Sequence, residues 1–533
     1  MISRLVDELA CARACMRAGL FGADPPHRLA GMVRAAARFG PIGGVVHIAA
    51  LRHGSRAALI DERGTLSFTE LDRRSNALAN AWRAQGLRAQ HGVGILARNH
   101  RGLLDATFAA AKCGARIVLL NSDFAAPQIR EVATREGIDL LVCDDEYRDA
   151  VVGIELSHGI WRAWADDAGS DQLDTVIAGG DTRLPPKPSS RSKVVILTSG
   201  TTGTPKGATR SDPRSLRPFG GLFGKVPFRG REVTECCVPM FHALGFAHAM
   251  LAVGLGSTLV VRRRFDASTT LESLATHRAS AMIVAPVMLA RMLDADPKPK
   301  ESHDLSALRI AFVAGSQLGS ALCTRATAAF GPVLYNLYGS TEVNYATIAT
   351  PEELAIEPGC VGSVVRSATV RIVGDDGTAL PPGCVGRIFV GNGFRFQGYT
   401  GGGTKDTIDG LVASGDIGHF DQRGLLFIDG RDDDMIVSGG ENVFPGEVEE
   451  ILASHRDIRE AAVVGVPDDE YGQRLQAFVA VRSGATLAEQ DVKDFVRANL
   501  ARFKVPRDVV FVDELPRNPT GKVLKKALVT PKE

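Results

Sequence analysis

Short apolar runs alternate with longer stretches of helical spacing over much of the chain. Within residues 44–188, and again within 257–337, runs of strand length are followed by segments in which apolar residues recur every three or four positions. Because parallel strands need a crossover connection, which is usually a helix, this alternation indicates two sheets covered by helices. The predicted strands lie at 92–96, 115–120, 194–197, 257–261, 281–285, 310–314 and 333–337, and the predicted helices at 69–85, 103–112, 267–277 and 287–293.

The pattern changes after residue 342. Short strands now follow one another, separated by turn sequences such as Asp-Asp-Gly and Pro-Pro-Gly, which is typical of an antiparallel β unit. Beyond residue 431 the mixed pattern indicates a compact α+β tail. The predicted elements are strands at 369–373, 386–390 and 425–428, and in the tail helices at 445–454 and 487–500 with strands at 460–466, 476–481 and 508–512.

These patterns predict an α/β fold. We expect a large N-terminal domain of two helix-covered sheets plus a small β-barrel-like unit, followed by a small α+β C-terminal domain. Residues 1–40 carry six arginines but no continuous apolar core of signal-peptide type. They predict an amphipathic surface helix, which either packs on its own domain or makes peripheral contact with a membrane. Residues 243–261 are nearly all apolar, but glycines and a histidine interrupt them, so we expect a buried helix, a turn and a strand and no transmembrane span.

Composition narrows the classes of partner. The chain has 533 residues, enough for several domains. Its 62 basic and 61 acidic residues leave a net charge of +1, so no overall electrostatic attraction favours nucleic acid. The nine cysteines are an odd number with no Cys-x-x-Cys pair, which fits a reducing, cytoplasmic location.

One predicted strand leads into a loop suited to an anion. The sequence VVILTSGTTGTPKGA, residues 194–208, passes from β-branched residues into hydroxyls and glycines with one lysine. Hydroxyl and backbone N–H donors together with a cation suit a polyphosphate, and Pro205 breaks the spacing of a Walker loop. A solvated linker is the simpler alternative. The candidate phosphate-binding residues are Thr198, Ser199, Gly200, Thr201, Thr202, Gly203, Thr204 and Lys206.

Two later strings place polar groups after strands. In YNLYGSTE, residues 335–342, Tyr338 could stack on a purine, Ser340 and Thr341 could contact phosphate, and Glu342 could coordinate magnesium. The same string could be an ordinary turn at a strand end. In SGDIG, residues 414–418, Asp416 stands between glycines, which would more often be a turn as well.

Taken in order, these strings resemble the signatures of the adenylate-forming superfamily. From about residue 44 to residue 526, the chain is most similar to its acyl-CoA synthetases, of the bacterial fatty-acyl-CoA ligase type. The resemblance implies ATP and Mg2+ as cofactors and coenzyme A as co-substrate. A carboxylate would attack Mg·ATP to give an acyl-adenylate and pyrophosphate, and the thiol of coenzyme A would then displace AMP. It also implies a mobile C-terminal domain, with residues 1–43 as an N-terminal helical extension, 44–431 as the adenylation domain, 432–533 as the C-terminal domain and a hinge near Asp433.

The resemblance implies a role for each matching residue. Lys206 and its loop hold the pyrophosphate, Glu342 holds magnesium with Thr341 beside it, and Lys522 bridges the substrate carboxylate and the α-phosphate. His242, in PMFHALG, borders the carboxylate pocket as a substrate-gating residue. The other implied nucleotide contacts are Gly315, Ser316, Tyr338, Gly339, Ser340, Asp416 at the ribose, and Arg431, and the implied CoA-binding residues are Gly439, Gly440 and Glu441.

The acid substrate is expected to be a medium- or long-chain fatty acid. The strings at 262–266, 398–400 and 441–443 look like those of fatty-acyl ligases, and no candidate pocket segment offers a basic residue for a dicarboxylate. Three alternatives stay open: transfer of the acyl group to a carrier protein, an aryl acid as substrate, and a catalytically silent nucleotide- or lipid-binding protein on the same fold. The glycines at 439–440 favour coenzyme A as acceptor, and a homodimer is one assembly that the sequence allows.

Overall fold

The structure of the protein is a computed structural model. It describes residues 2–166, 169–198, 206–210, 215–366, 368–394, 396–400, 402–432, 434–438, 441–468, 472–519 and 521–529. The helices are α1 (Ile2–Ala18), α2 (Pro26–His53), α3 (Phe68–Ala84), α4 (Arg101–Cys113), α5 (Ala126–Arg135), α6 (Leu173–Ala178), α7 (Arg217–Lys225), α8 (Ala243–Leu255), α9 (Ala267–Thr276), α10 (Pro286–Ala295), α11 (Pro299–Ser302), α12 (Ser320–Phe330), α13 (Pro351–Ile356), α14 (Pro445–Ala453), α15 (Glu489–Asn499) and α16 (Lys525–Val529).

The strands follow in the same order along the chain. They are β1 (Ala57–Asp61), β2 (Gly64–Ser67), β3 (Gly92–Leu96), β4 (Arg116–Leu119), β5 (Ile138–Asp144), β6 (Ile160–Trp164), β7 (Val194–Thr198), β8 (Lys206–Arg210), β9 (Val233–Cys236), β10 (Thr258–Val261), β11 (Ala281–Val284), β12 (Ile310–Val313), β13 (Leu334–Ser340), β14 (Asn344–Ala349), β15 (Ser363–Val364), β16 (Thr369–Val373), β17 (Gly386–Gly391), β18 (Phe396–Tyr399), β19 (Thr407–Ile408), β20 (Leu411–Phe420), β21 (Leu426–Arg431), β22 (Ile436–Ser438), β23 (Glu441–Val443), β24 (Ile458–Asp468), β25 (Gly472–Val481) and β26 (Asp508–Phe511).

The chain forms two compact units, and the first comprises Met1–Val284, Asp294–Phe312 and Gly393–Thr404. One of its sheets has the strand order β18-β8-β7-β4-β3-β5-β6. The pairs from β7 to β6 along this order are parallel, as the alternating pattern predicted. The pairs β7–β8 and β8–β18 are antiparallel, which the pattern did not predict. The candidate phosphate loop therefore connects two antiparallel strands.

A second run of strands in the first unit has the order β11-β9-β10-β1-β2. Its pairs are parallel except for the hairpin β1–β2. Helix α8, the left-handed Gly256 (φ 65°) and strand β10 follow one another as predicted for the apolar stretch. No helix among the described residues is both long enough and apolar enough to cross a membrane.

The N-terminal segment differs from the prediction, because it contains two helices where one was expected. Helix α1 ends at Ala18, and Gly19 follows with φ 84°, a conformation that glycine adopts without strain. Helix α2 begins at Pro26, and proline is well tolerated at the first position of a helix. It bends at Gly40 (φ 70°) and continues to His53.

Helices α2, α3 and α4 are joined by a buried ion pair. Lys112 on α4 is fully buried, and its Nζ lies 2.7 Å from Oδ1 of Asp72, Oγ of Ser75 and Oδ1 of Asn76 on α3. The other oxygen of Asp72, Oδ2, lies 2.8 Å from Nδ1 of His47 on α2. Burial lowers the pKa of Lys112, while the charge of Asp72 opposes that change. A charge buried at this depth is tolerated only because these partners replace its hydration.

The second unit comprises Ala285–Leu293, Val313–Asn392 and Lys405–Glu533. It contains the antiparallel strands β13, β14 and β15 and a sheet of order β16-β17-β20-β19, with β21 on β20, in which all pairs are antiparallel. This sheet is the predicted small β unit. The bounds of β16 match the predicted strand at 369–373.

The C-terminal α+β part of the second unit has its own sheet and core. The sheet has the order β23-β22-β25-β24, with β26 parallel to β25. Helices α14 and α15 pack on it, and Val492 and Val496 are buried there at the helical spacing that the sequence predicted. The predicted fold class, a large helix-covered domain with a small β unit and a small α+β C-terminal domain, is confirmed.

Candidate active site

The candidate phosphate loop lies between β7 and β8 in the first unit. Thr198 and Lys206 face each other in the register of the two strands. The Nζ atom of Lys206 lies 5.5 Å from the centre of the Tyr399 ring on β18, a distance at which a cation interacts with an aromatic face. Ser199, Gly200, Thr201, Thr202, Gly203 and Thr204 lie outside the described residues, so their contacts with phosphate stay a prediction.

The residue after the lysine, Gly207, sits in a narrow space. A Cβ atom added there would lie 2.5 Å from Cγ1 of Val195 and 2.6 Å from Oγ1 of Thr400. The backbone N–H of Thr400 donates to the carbonyl of Gly207 at 2.8 Å. Strand β8 can approach its neighbours this closely only because position 207 has no side chain, and this packing fixes the base of the loop.

In the second unit, Tyr338 on β13, Asp416 in the middle of β20 and Arg431 at the end of β21 meet. The hydroxyl of Tyr338 donates to Oδ2 of Asp416 at 2.7 Å, and Nη1 of Arg431 donates to Oδ1 at 3.4 Å. Asp416 and Arg431 are register partners on neighbouring strands. The backbone N–H of Asp416 also donates to Oγ of Ser414 at 3.1 Å, which fixes the backbone of the carboxylate. The structure thus brings together three residues that the sequence predicted for one nucleotide site.

The electrostatics of this cluster suit a group that accepts hydrogen bonds. Burial raises the pKa of Asp416, while the hydrogen bond from Tyr338 and the positive charges of Arg431 and Lys522 act against that rise. Burial, followed by the nearby charge of Asp416, raises the pKa of Tyr338 well above its ordinary value, so its hydroxyl keeps its proton and donates. An ionised Asp416 has two oxygens for hydroxyl donors, as a vicinal diol requires.

The turn between β13 and β14 carries the candidate magnesium ligand. The hydroxyl of Ser340 donates to Oε2 of Glu342 at 2.9 Å and accepts from the backbone N–H groups of Glu342 and Val343 at 3.2 and 3.3 Å. Thr341 lies in the same turn. A Cβ atom added to Gly339 would lie 1.8 Å from the carbonyl oxygen of Asn344, so only glycine fits at this point of the hairpin. The turn therefore carries a carboxylate and two hydroxyls on a backbone that is closely packed at Gly339.

Gly315 and Ser316 follow directly after β12 and lie in the second unit with Tyr338 and Asp416. Gly315 has φ 106°, a conformation that other residues rarely adopt. Space for a side chain exists there, since an added Cβ would have no atom of the described residues within 4 Å. The glycine is therefore required by the backbone conformation and leaves an open surface beside the strand end.

Lys522 stands on a tight hairpin of the C-terminal part. Its backbone N–H donates to Oδ1 of Asn518 at 2.9 Å, and the N–H of Asn518 donates to the carbonyl of Lys522 at 2.9 Å. The side chain of Lys522 is exposed, and its positive charge acts against the rise in the pKa of Asp416. The predicted catalytic lysine and the predicted ribose-binding carboxylate both belong to the second unit.

His242 occupies the N-cap position of α8 in the first unit. Part of its ring is exposed, but the Nε2 atom is buried and has no hydrogen-bond partner within the described part of the chain. Burial lowers the pKa of His242 to about 4, so the ring is neutral at neutral pH. The ring of Phe241 lies beside it, with the two ring centres 4.4 Å apart. A neutral imidazole next to an aromatic ring suits a border between apolar substrate and reacting carboxylate better than a base.

Several predicted site residues cannot be placed. Asp433, the predicted hinge, and Gly439 and Gly440, predicted to contact coenzyme A, lie outside the described residues. Glu441 begins strand β23, where its backbone pairs with Ser438.

The arginines in the string at 262–266 make contacts within the first unit. Arg263 and Arg264 form ion pairs with Glu146 at 2.6 and 3.0 Å, and the guanidinium of Arg263 lies 4.8 Å from the centre of the Trp164 ring. The resemblance of this string to fatty-acyl ligases stays a prediction about the acid.

The sequence also missed residues that position the site. The hydroxyl of Ser414 fixes the backbone of Asp416, and Tyr399 lies beside Lys206. Both residues belong to strings considered in the sequence analysis, at 414–418 and 398–400. A linear pattern does not show, however, that residues 206 and 399 lie side by side.

The partly buried carboxylate of Asp416, the glutamate in the turn after β13 and the lysine on the C-terminal hairpin fit an adenylate-forming enzyme in the class of AMP-forming acid–thiol ligases. Comparison with known proteins agrees. The family model described as AMP-binding enzyme matches residues 46–400, and the model of the AMP-binding enzyme C-terminal domain matches residues 447–522. The chain belongs to the AMP-binding enzyme family, which confirms the resemblance seen in the sequence.

Individual relatives cover nearly the whole chain. Indoleacetate–CoA ligase of Aromatoleum aromaticum is 32% identical over 493 residues, which cover 90% of this chain and 95% of the relative. The fatty acid–[acyl-carrier-protein] ligase ScoC of Streptomyces coeruleorubidus is 30% identical over 496 residues, or 88% of this chain and 92% of the relative. Among solved structures, ATP-bound MatB from Rhodopseudomonas palustris superimposes with a TM-score of 0.77 at 27% identity, covering 89% of this chain and 95% of MatB.

Proposed function

We propose that this protein converts an apolar carboxylic acid, ATP and coenzyme A into an acyl-CoA, AMP and pyrophosphate through an acyl-adenylate. The observation that supports this most is the meeting of Tyr338, Asp416 and Arg431 in the unit that also carries Lys522. In this proposal Asp416 accepts hydrogen bonds from the ribose, and Tyr338 both orients Asp416 and offers its ring to the adenine, with Gly315 and Ser316 lining the same nucleotide site.

In the first step, a carboxylate oxygen of the acid attacks the α-phosphorus of ATP and pyrophosphate leaves. Both reactants are anions, so Lys522 lowers the repulsion between them and stabilises the charge that develops at the α-phosphate. Lys206 and the hydroxyl loop hold the departing pyrophosphate. The neutral His242 borders the acid without adding a charge.

Glu342 is the proposed ligand of Mg2+. Its carboxylate and the hydroxyls of Ser340 and Thr341 are oxygen donors of the kind that magnesium prefers, and this ion is commonly held by one or two carboxylates together with substrate phosphates. Within the described ranges, no group of three or more His, Cys, Asp or Glu side chains has the arrangement to hold a metal ion. When bound, the ion would neutralise charge on the phosphates.

In the second step, the thiol sulfur of coenzyme A attacks the acyl carbon, and AMP leaves with the electron pair of the broken C–O bond. Gly439 and Gly440 are proposed to line the path of the thiol, and Asp433 to be the hinge on which the C-terminal domain turns between the steps. A hinge backbone changes its φ and ψ angles and is best served by a polar residue that stays solvated.

The acid is proposed to be a medium- or long-chain fatty acid, with an aryl acid as the second candidate. The buried ring of Phe241 and the neutral ring of His242 beside it favour an apolar acid of either kind. Relatives act on both: indoleacetate is aromatic, and ScoC carries fatty acid in its name. The second relative also keeps a carrier protein open as the alternative acceptor.

A product screen is expected to separate these candidates. The purified chain is incubated with ATP, Mg2+ and octanoate, palmitate, oleate, benzoate, indoleacetate or ferulate, with coenzyme A or with an acyl carrier protein. AMP and thioester are then measured by chromatography. We expect AMP and acyl-CoA in equal amounts with at least one acid. ADP in place of AMP, or AMP release that no acid stimulates, would reject the proposed reaction, whereas thioester on the carrier protein alone would change the acceptor.

We also propose that the outer face of α1 contacts an anionic membrane surface. Helix α1 packs through its small residues: Cys11 and Cys15 are buried, and a Cβ atom added to Gly220 of α7 would lie 2.2 Å from Cβ of Cys11. Its larger apolar side chains point the other way, and those of Val6, Leu9 and Met16 are 55%, 63% and 57% exposed, with the exposed Arg13 and Arg17 between and beside them. Apolar residues interspersed with arginine are typical of helices that lie in the headgroup region.

Sedimentation with vesicles is expected to show this contact. The chain should bind vesicles of phosphatidylglycerol and phosphatidylcholine more tightly than vesicles of phosphatidylcholine alone, and the bound fraction should fall with added salt. Replacing Val6, Leu9 and Met16 together with serine should reduce binding by about tenfold or more, since each loses apolar area that would be buried. The matched control replaces Val385, Phe503 and Val510, which are exposed elsewhere. Equal loss in both triple variants, or no binding at all, would overturn the contact.

A further inference from the structure

Helix α12 is capped from a distant part of the chain. Its N-cap residue is Gly319, which has no side chain to bind the free N–H groups of the first turn. The carboxylate of Glu450 on α14 takes this place: Oε1 accepts from the hydroxyl of Ser320 at 2.6 Å and from its backbone N–H at 3.2 Å. A carboxylate is favoured there because the start of a helix carries partial positive charge.

A second contact holds the hairpin that carries Lys522. Gly521 has φ 81° and is buried, and a Cβ atom added to it would lie 1.9 Å from Cγ1 of Val287 on α10. The hairpin therefore rests directly on the side chain of Val287. Both Val287 and Ser320 belong to the parts of the second unit that precede the C-terminal sheet in the chain.

The two contacts hold two ends of the same C-terminal part. One holds α14, the first helix of the C-terminal part, and the other holds its last hairpin. Residue 320 also follows closely on Gly315 and Ser316, which are proposed to line the nucleotide site. Together these contacts hold the first helix of the C-terminal part, and the hairpin that carries Lys522, against the earlier part of the second unit.

We propose that Glu450 and Val287 are positioning residues that hold the C-terminal part in the orientation required for adenylate formation. This inference rests on the proposed two-step reaction. The second step requires Lys522 to leave, so the two contacts must also be broken in every cycle. Weakening the two contacts lowers the population of the orientation that forms the adenylate. A variant with weaker contacts should therefore be slower in acyl-adenylate formation only.

The test measures the two half-reactions separately. Acyl-adenylate formation is followed by acid-dependent exchange of pyrophosphate into ATP, and thioester formation by adding coenzyme A to pre-made acyl-adenylate. Glu450→Ala should slow the first by about tenfold, as expected for loss of hydrogen bonds to a charged group, and leave the second unchanged or faster. Val287→Phe should act in the same direction, because the larger ring displaces the hairpin, whereas the near-isosteric Val287→Thr should stay close to wild type.

The matched control is Glu489→Ala. Glu489 pairs with Lys493 at 2.7 Å inside α15, so the substitution removes a similar carboxylate without touching the proposed attachment. Adding Ser320→Ala to Glu450→Ala should slow acyl-adenylate formation little further, because both substitutions remove the same contact. Equal slowing of both half-reactions, or an effect of Glu489→Ala as large as that of Glu450→Ala, would overturn the inference. Failure of the proposed function is distinguishable, because wild type itself would then show no acid-dependent exchange.

Discussion

Replacing Lys522 with alanine is expected to slow acyl-adenylate formation by at least ~10²-fold, which is the usual effect of losing a preorganised group that stabilises transition-state charge. Lys522 stands on a hairpin of the second unit, which also contains Asp416, and its positive charge acts against the rise in the pKa of that carboxyl. Thioester formation from pre-made acyl-adenylate should be spared, because the lysine has no role once the pyrophosphate has left. Single-turnover measurements of each step check this.

The neighbouring Lys526→Ala is the control for a general effect of charge, since Lys526 is exposed on α16. It should leave both steps within about twofold of wild type. Equal loss in both half-reactions of Lys522→Ala would argue against a lysine that serves the first step alone. An unchanged first step would remove Lys522 from the mechanism.

Replacing Lys112 with methionine is expected to destabilise the first unit by about 3–5 kcal/mol, the typical cost of leaving one partner of a buried ion pair without the other. Methionine keeps much of the volume but leaves Asp72, Ser75 and Asn76 without their shared donor. The midpoint of urea unfolding, followed by tryptophan fluorescence, measures the effect.

The double variant Lys112→Met with Asp72→Leu should recover part of the loss, since the uncompensated carboxylate is removed too. Arg183→Met is the control, because the Arg183–Asp181 pair is on the surface. A Lys112→Met protein as stable as wild type would show that the buried pair contributes nothing to folding.

Sequence patterns predicted the elements that are bounded by turns and glycines. Strand β3 and strand β16 have the predicted bounds, and helix α3 lies within one residue of the predicted bounds, opened by a capping box in which Ser67 and Glu70 bind each other's backbone N–H groups. The hairpin of β7 and β8 was missed because the residues of β8 show no alternation of apolar and polar positions. The prediction for the N-terminal segment was wrong in detail, because glycine and proline divide the segment into two helices.

The site could be predicted as a set of residues but only partly as a geometry. Motif order indicated that Tyr338, Asp416 and Arg431 serve one ligand; hydrogen bonds join these residues in the structure, and their role at a nucleotide stays a prediction. Contacts between residues far apart in sequence, such as Glu450 with Ser320, leave no trace in a linear pattern. The fatty acid stays a prediction, because it was taken from short strings and not from the geometry of a pocket.

The central claim is that the chain forms an acyl-adenylate before any thiol takes part. Exchange of labelled pyrophosphate into ATP, measured with an acid and Mg2+ but without coenzyme A, tests it most directly. We expect exchange that depends on the acid and needs no coenzyme A. Exchange that requires coenzyme A, or none with any acid in the screen, would contradict the account.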